Sequence, residues 1–173
     1  MNEFDPRALW GITYGIFLVT SAFNGRLNGQ IANTVFQVTA DPPRIAVALN
    51  KENYTHELIS NSGVFAVSIL CDSTPLKFIG RFGFRSGRDF DKLEGVEHFL
   101  NAAGVPCVTE NALSVIEARV FDKLDAGTHT VFVAYVIGGK IIKDEKPLTY
   151  AEYRERKGKV PKTAPTFRAS ESE

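Results

Sequence analysis

The 173-residue chain has only two cysteines, Cys71 and Cys107, neither in a CxxC pair and neither beside a histidine. Zinc and iron–sulfur centres need several such ligands at short spacing, and a disulfide scaffold needs several pairs, so no metal centre and no disulfide framework is expected. An excess of one charge is also missing, since Lys plus Arg and Asp plus Glu both number 20. Dedicated nucleic-acid binders carry a basic excess, so no nucleic-acid partner is expected. Long apolar runs are lacking as well. The opening MNEFDPRALW bears acid where a secretory leader bears base, and no later stretch approaches the roughly 20 residues of a membrane span. The expected location is cytoplasmic, with no membrane partner.

What the chain does have is apolar bulk. Hydrophobic residues make up 44% of it and phenylalanine alone occurs 13 times, enough for one domain with a sizeable core. Asp5-Pro6 opens a short helix as N-cap and first helical residue. Tyr14–Ser21 reads as a buried strand, Asn24-Gly25 as a hairpin turn, and about Gly29 to Thr39 as a second strand. Asp41-Pro42-Pro43 breaks the chain before Ile45–Leu49, which is apolar throughout and so suits a strand covered on both faces. Thr55–Ser60 reads as a helix closed at Asn61-Ser62-Gly63. Val64–Leu70 is a strand and Thr74–Phe82 a helix with Leu76, Ile79 and Phe82 on one face. Ser114–Leu124 and Thr128–Ile142 are two long strands, the second interrupted by Gly138-Gly139, with Asp125-Ala126-Gly127 between them. Six or so strands with tight turns describe a closed or nearly closed antiparallel barrel. Residues 1–153 form the domain. Residues 154–173 lose hydrophobic periodicity and read as an extended arm ending in a disordered tip.

The stretch Asn24–Ile59 is where the chemistry concentrates. Its polar groups gather at Gln30-Ile31-Ala32-Asn33-Thr34 and at Asn50-Lys51-Glu52-Asn53-Tyr54-Thr55. A strand that delivers its end into a Lys/Asn/Thr loop just before a helix suits a phosphate, because free N–H groups and the helix dipole favour an anion there. Asn53 or Thr55 caps that helix, and Lys51 adds a full charge.

Five pieces in order carry a family resemblance: Val19-Thr20-Ser21, Ala32-Asn33-Thr34, Asp41-Pro42-Pro43 with its apolar strand, Asn50-Lys51 with Thr55-His56-Glu57-Leu58-Ile59, and Asp125-Ala126-Gly127-Thr128-His129-Thr130. The chain resembles the flavin reductase-like, FMN-binding split-barrel proteins from Asp5 to about Tyr150, with Thr128 replacing the acid of the family's Gly-Asp-His-Thr hairpin. The arm KGKVPKTAPTF is similar to that of relatives followed by a rubredoxin domain, though the paired CxxC motifs of a rubredoxin are absent. The resemblance implies a mainly β, six-stranded antiparallel Greek-key split barrel with short flanking helices. It also implies a homodimer and FMN (rather than FAD) near the subunit interface. Electrons pass between NAD(P)H, as transient substrate, and a flavin or a protein acceptor such as a rubredoxin or a flavodiiron protein. An electron carrier that never handles nicotinamide, and a split barrel holding haem or pyridoxal phosphate, are the alternatives.

On that footing Asn33 faces the pyrimidine edge or the ribityl hydroxyls, backbone groups of Gln30, Ile31 and Ala32 face the ring, and Thr34, Asn50, Lys51, Asn53 and Thr55 serve the phosphate. The opposing reading makes Asn33 and Thr34 strand-edge caps and Lys51 a solvated loop charge. His129 contacts nicotinamide or the reduced ring, or else simply hydrogen-bonds backbone; hydride transfer needs alignment more than a general base. Arg81, Arg85 and Arg88, interleaved with Phe82, Phe84 and Phe90, form either a lid or a solvated loop. Cys71 and Cys107 read as small buried hydrophobes, His56 as part of the helix start and His98 as surface. Lys159 and Lys162 either reach a partner subunit's cofactor or sit on a free tail.

Overall fold

The computed structural model describes residues 4–156 and 158–167. Among the described residues nine strands and three α-helices follow a short 3-10 turn at Pro6–Gly11, where Asp5 caps and Pro6 starts as its residue types dictate. The strands are β1 (Phe17–Phe23), β2 (Arg26–Ala32), β3 (Val35–Ala40), β4 (Pro43–Asn50), β5 (Val64–Leu70), β6 (His98–Leu100), β7 (Pro106–Val108), β8 (Ala112–Ala126) and β9 (His129–Ile141). The helices are α1 (Tyr54–Ser62), α2 (Leu76–Phe84) and α3 (Tyr150–Glu155).

Seven strands form one antiparallel sheet in the order β2-β1-β5-β8-β9-β4-β3, while β6 and β7 pair separately. The expected six-stranded, closed or nearly closed split barrel is corrected in its strand count, and the structure decides between closed and open. Gly29–Thr39 is two strands rather than one, because its partner changes midway. Ala32 still pairs with Phe17 of β1, whereas the Thr34 carbonyl already accepts from Ala48 N–H of β4 at 3.1 Å. Nor is the ring closed by strand pairing, since β2 and β3 lie at the two ends of the strand order. They are nevertheless consecutive in the chain, with only Asn33 and Thr34 between them. Three peptide steps reach at most about 11 Å, so the sheet must roll until its edges meet at that corner. Val19 of β1, Phe65 and Val67 of β5, Ala118 of β8, Phe132 of β9 and Val47 of β4 share one buried cluster inside the roll.

The outer side of β1 and β5 is covered by the β6–β7 hairpin, which the sequence reading did not anticipate. Its approach is anchored by hydroxyls. Thr20 Oγ1 donates to Pro106 O at 2.5 Å and Ser68 Oγ to Val108 O at 2.7 Å, both fully buried. Hydroxyls thus replace water on a strand face that would otherwise bury unpaired carbonyls.

Other boundaries shift for local reasons. The Asn24-Gly25 hairpin holds, with φ of 49° and 73° as a primed turn requires. Helix α1 ends on Gly63 at φ 69°. Helix α2 starts after Pro75 and buries Phe78, Ile79 and Phe82, while Leu76 is exposed. Gly138-Gly139 does not end β9, but the register with β8 shifts beside it, between Glu117–Gly138 and Ala118–Val136, and a Cβ on Gly138 would lie 2.9 Å from Glu117 Oε1. Helix α3 was also missed, although Thr149 and Glu152 form a capping box legible in the sequence. The arm is not extended; it carries two turns, closed by Ala164 N–H to Pro161 O and Phe167 N–H to Ala164 O. The expected disordered tip lies outside the described residues. Among those residues no helix is long and apolar enough to cross a membrane.

Phe65, wholly buried in the rolled core, sets the first prediction. Phe65→Ala should cost about 3–5 kcal/mol in urea unfolding. A loss below about 1 kcal/mol would contradict a packed interior at that position.

Candidate functional site

One cleft of about 1100 Å³ gathers β2, the start of α1, the loop after α2, His129, α3 and residues 158–167 of the arm. That is just above the roughly 300–1,000 Å³ usual for cofactor sites. Its floor is β2, an edge strand. Lys92 Nζ donates to Gly29 O at 2.9 Å and to Phe82 O at 3.1 Å, so the backbone of Gly29 points away from β1. Direction alternates along a strand, and Ile31 two residues on therefore turns its N–H and carbonyl to the same free edge. Lys92 is buried, which pushes its ammonium down to about 8, and the two carbonyls compensate part of that cost.

Side chains of Asn28 and Gln30 share the opposite face from Gly29. Asn28 Nδ2 donates to Thr55 Oγ1 at 2.9 Å, tying β2 to the first turn of α1. Gly87 closes on the same point: a Cβ there would sit 1.9 Å from Asn28 Oδ1. Asn53 holds the N-cap position of α1, yet its side chain makes no cap hydrogen bond. The turn before it is instead organised by Asn50, whose Oδ1 accepts from Glu52 N–H at 2.9 Å. The first-turn N–H groups of α1 thus lack a side-chain cap on the side that lines the cleft.

Of the residues singled out in the sequence, Gln30, Ile31, Ala32, Asn33, Thr34, Asn50, Asn53, Thr55 and His129 all line this cleft. Lys51 does not. Its Nζ lies 2.7 Å from Asp125 Oδ1 in an exposed ion pair, which also holds the Asp125 carboxyl below its usual range. The end of β8 supplies the competing acid, so Lys51 is drawn outward. Thr34 Oγ1 donates to Ala48 O at 2.8 Å, the strand-edge role weighed against a ligand role above. Asn33 Nδ2 donates to Thr166 Oγ1 at 2.9 Å and Asn50 Nδ2 to Thr163 O at 3.3 Å, so both amides meet the arm.

His129 lies opposite Asn50 in the β4–β9 pairing. Its Nδ1 is 2.9 Å from Thr128 Oγ1, while Nε2 is buried with no partner. Thr128 can donate to Nδ1 or accept from it, and Nε2 correspondingly carries the ring proton or a free lone pair. Among the described residues six buried side-chain polar atoms lack a partner. Four of them line the cleft: Asn28 Oδ1, Gln30 Oε1, His129 Nε2 and Tyr150 OH. Such atoms are costly to leave unpaired.

The sequence reading missed Asn28, Lys92 and Tyr150. Only burial marks Lys92, whereas Tyr150 could have been found from the capping box that starts α3. The loop with Arg85 and Arg88 proves to be a wall of the cleft. Arg85 stacks 4.5 Å from the Phe90 ring, and Arg88 pairs with Glu57 at 2.7 Å while lying 4.6 Å from the Tyr54 ring. Arg81 faces elsewhere, donating to Glu94 O at 2.5 Å. Cys107 is fully buried, and burial pushes its thiol up to about 12, so it carries no thiolate.

The family described as flavin reductase like domain matches residues 9–159. A ferric-chelate reductase (NAD(P)H) of Archaeoglobus fulgidus is 51% identical over 164 residues, 94% of this chain and 97% of that protein. A high molecular weight rubredoxin of Moorella thermoacetica is 44% identical over 164 residues, 94% of this chain and 72% of that protein. The crystal structure of an FMN-binding protein from Thermus thermophilus with bound p-hydroxybenzaldehyde superposes with a TM-score of 0.71 at 25% identity, covering 82% of this chain and 79% of that one.

His56, beside the site, carries a pH prediction. Its Nε2 is 2.8 Å from Thr130 Oγ1, and burial first, then Lys51, Lys123 and His129, holds its imidazolium below the ordinary 6.5. Just below pH 6.5 the unfolded chain binds more protons than the fold, so this contribution is full above that pH and is lost as pH falls through the lowered value. His56→Gln should therefore lose less Tm than the parent between about pH 7.5 and 5. Equal losses in thermal scans would remove His56 from the acid response.

Proposed function

The chain belongs to the flavin reductase like domain family, and from that membership we propose that its cleft holds FMN and passes electrons from NAD(P)H to a flavin, a ferric chelate or a small redox protein. The observation that carries this reading is the set of four partnerless buried polar atoms converging on one cleft. Gln30 Oε1 accepts, Tyr150 OH donates, His129 Nε2 donates or accepts according to its tautomer, and the free edge of Ile31 does both. A flat heterocycle with alternating donors and acceptors along its edge meets that pattern, so the residues present fit a flavin.

When bound, FMN supplies the hydride- and electron-accepting chemistry. The chain's residues bind and orient. The β2 edge would hold the flavin, and Phe82 and Phe84 with the arm would keep water from it. The phosphate end belongs with the uncapped start of α1, Ser86 and Arg88, the cation that lies over Tyr54. This replaces Lys51, which does not line the cleft, whereas Arg88 does while also pairing with Glu57. His129 Nε2 stands as a polar contact to the ring or to nicotinamide.

The Archaeoglobus relative favours NAD(P)H as donor, and the Thermus structure favours FMN over FAD. The Moorella relative's name favours a second reading, in which the chain carries electrons between proteins without nicotinamide. A homodimer is supported by the outer sheet face, where Phe36, Phe121, Tyr135 and Ile137 are exposed. Arg44 there lies 5.1 Å from both the Phe121 and Tyr135 rings. Apolar patches flanked by stacked arginine are typical interface centres.

Purified protein should be yellow, or become so with FMN, and should bleach within seconds of anaerobic mixing with NADH or NADPH. Colour without bleaching selects the carrier, and a protein that stays colourless overturns both readings. His129→Ala should slow reduction while leaving FMN bound. Arg88→Ala should weaken FMN binding by about 1.5–3 kcal/mol, the worth of a hydrogen bond to a charged group. Lys51→Ala should leave affinity unchanged; the reverse order in titration calorimetry would return the phosphate to Lys51.

A further inference from the structure

Asn33 and Asn50 were candidates for touching the cofactor, yet each spends its amide N–H on the arm. This points to a different role. The arm leaves α3 under restraint. Tyr153 OH donates to Lys159 O at 2.5 Å, Arg154 Nη1 to Gly158 O at 2.7 Å, and Gly158 N–H to Tyr153 O at 3.0 Å. Gly158 lies flat on the Tyr153 ring, where a Cβ would come within 2.3 Å of the ring carbons. The arm then turns twice and is caught again at its far end, by Asn50 on the Thr163 carbonyl and Asn33 on the Thr166 hydroxyl. Barrel floor and arm line the same cleft, which keeps its volume of about 1100 Å³ with the arm in place. A ligand in that space lies beneath a strap fastened at both ends.

We propose that residues 158–167 are a latched roof over the ligand, that Asn33 and Asn50 are its keepers rather than ring contacts, and that the latch makes bound flavin a retained group instead of a freely exchanging substrate. This rests on the flavin reading above. Pro161 and Pro165 stiffen the segment by fixing φ, which lowers the entropy lost on closure. Release then requires the far-end bonds to open before the ligand can leave. Asn33 and Thr166 act as one contact and so should not contribute independently.

The test uses the full chain loaded with FMN and follows the fluorescence of free FMN after dilution. Thr166→Val, Asn33→Ala and Tyr153→Phe should each release FMN about threefold to tenfold faster, the range that one net hydrogen bond supports. The Asn33→Ala, Thr166→Val double variant should release no faster than the quicker single. A parent-like rate for Thr166→Val, or effects that multiply in the double variant, overturns the latch while leaving the flavin reading intact. A second readout needs no flavin. Trypsin cleavage after Lys159 and Lys162, scored by mass spectrometry, should be faster in flavin-free Thr166→Val than in the flavin-free parent, because cleavage reports opening of the segment. Equal cleavage also overturns the latch. Failure of the parent to take up FMN at all overturns the flavin reading, and the retention with it.

Discussion

Two residues tether the outermost strands of a seven-stranded sheet to one another, and the rest of the molecule answers to that tether. Asn33 and Thr34 join β2 to β3, so the sheet cannot lie open. It rolls, and the roll gives β1 and β4, four steps apart in strand order, a common interior. The corner also determines where a ligand can sit. On one side of it the outer edge of β2 has no strand partner, and on the other the chain enters β3, tied to β4 by the hydroxyl and carbonyl of Thr34. An unpaired edge beside a forced bend is a natural recess, and α1, the loop after α2 and the arm build its walls.

Much of this was legible because the residues concerned have few ways to behave. Asn24-Gly25 permits the left-handed turn that other pairs resist. Val64–Leu70, apolar but for Ser68, matches β5 residue for residue. The β6–β7 hairpin escaped notice because its strands are short and its value lies in covering Thr20 and Ser68, a partnership across 86 and 40 residues of sequence that no local pattern records. The two-strand nature of Gly29–Thr39 was hidden for a similar reason: no breaker residue marks the corner, and the change of backbone partner and of inward parity, from Ala32 to Val35, follows only from the folded chain.

At the site, residue types were informative about neighbourhood and less so about contact. Gln30, Thr55 and His129 lie in one cleft because β2, α1 and the β8–β9 hairpin converge there. Lys51 sits one residue past Asn50 yet turns outward, since Asp125 lies across the hairpin and an exposed ion pair needs only proximity. Asn33 and Asn50 were recognised as amides with hydrogen bonds to offer, but the receiver, Thr163 and Thr166 in a segment without periodicity, follows only from the folded chain.

The ammonium of Lys92 has one more effect. A strand at the rim of a sheet ordinarily offers its spare carbonyls and amides to any extended peptide that drifts by, the route to unwanted fibres. By capping Gly29 O and fastening the end of α2 there through Phe82 O, Lys92 bars the β2 rim to an incoming chain. A charge sealed inside the protein thus also guards against self-templated aggregation.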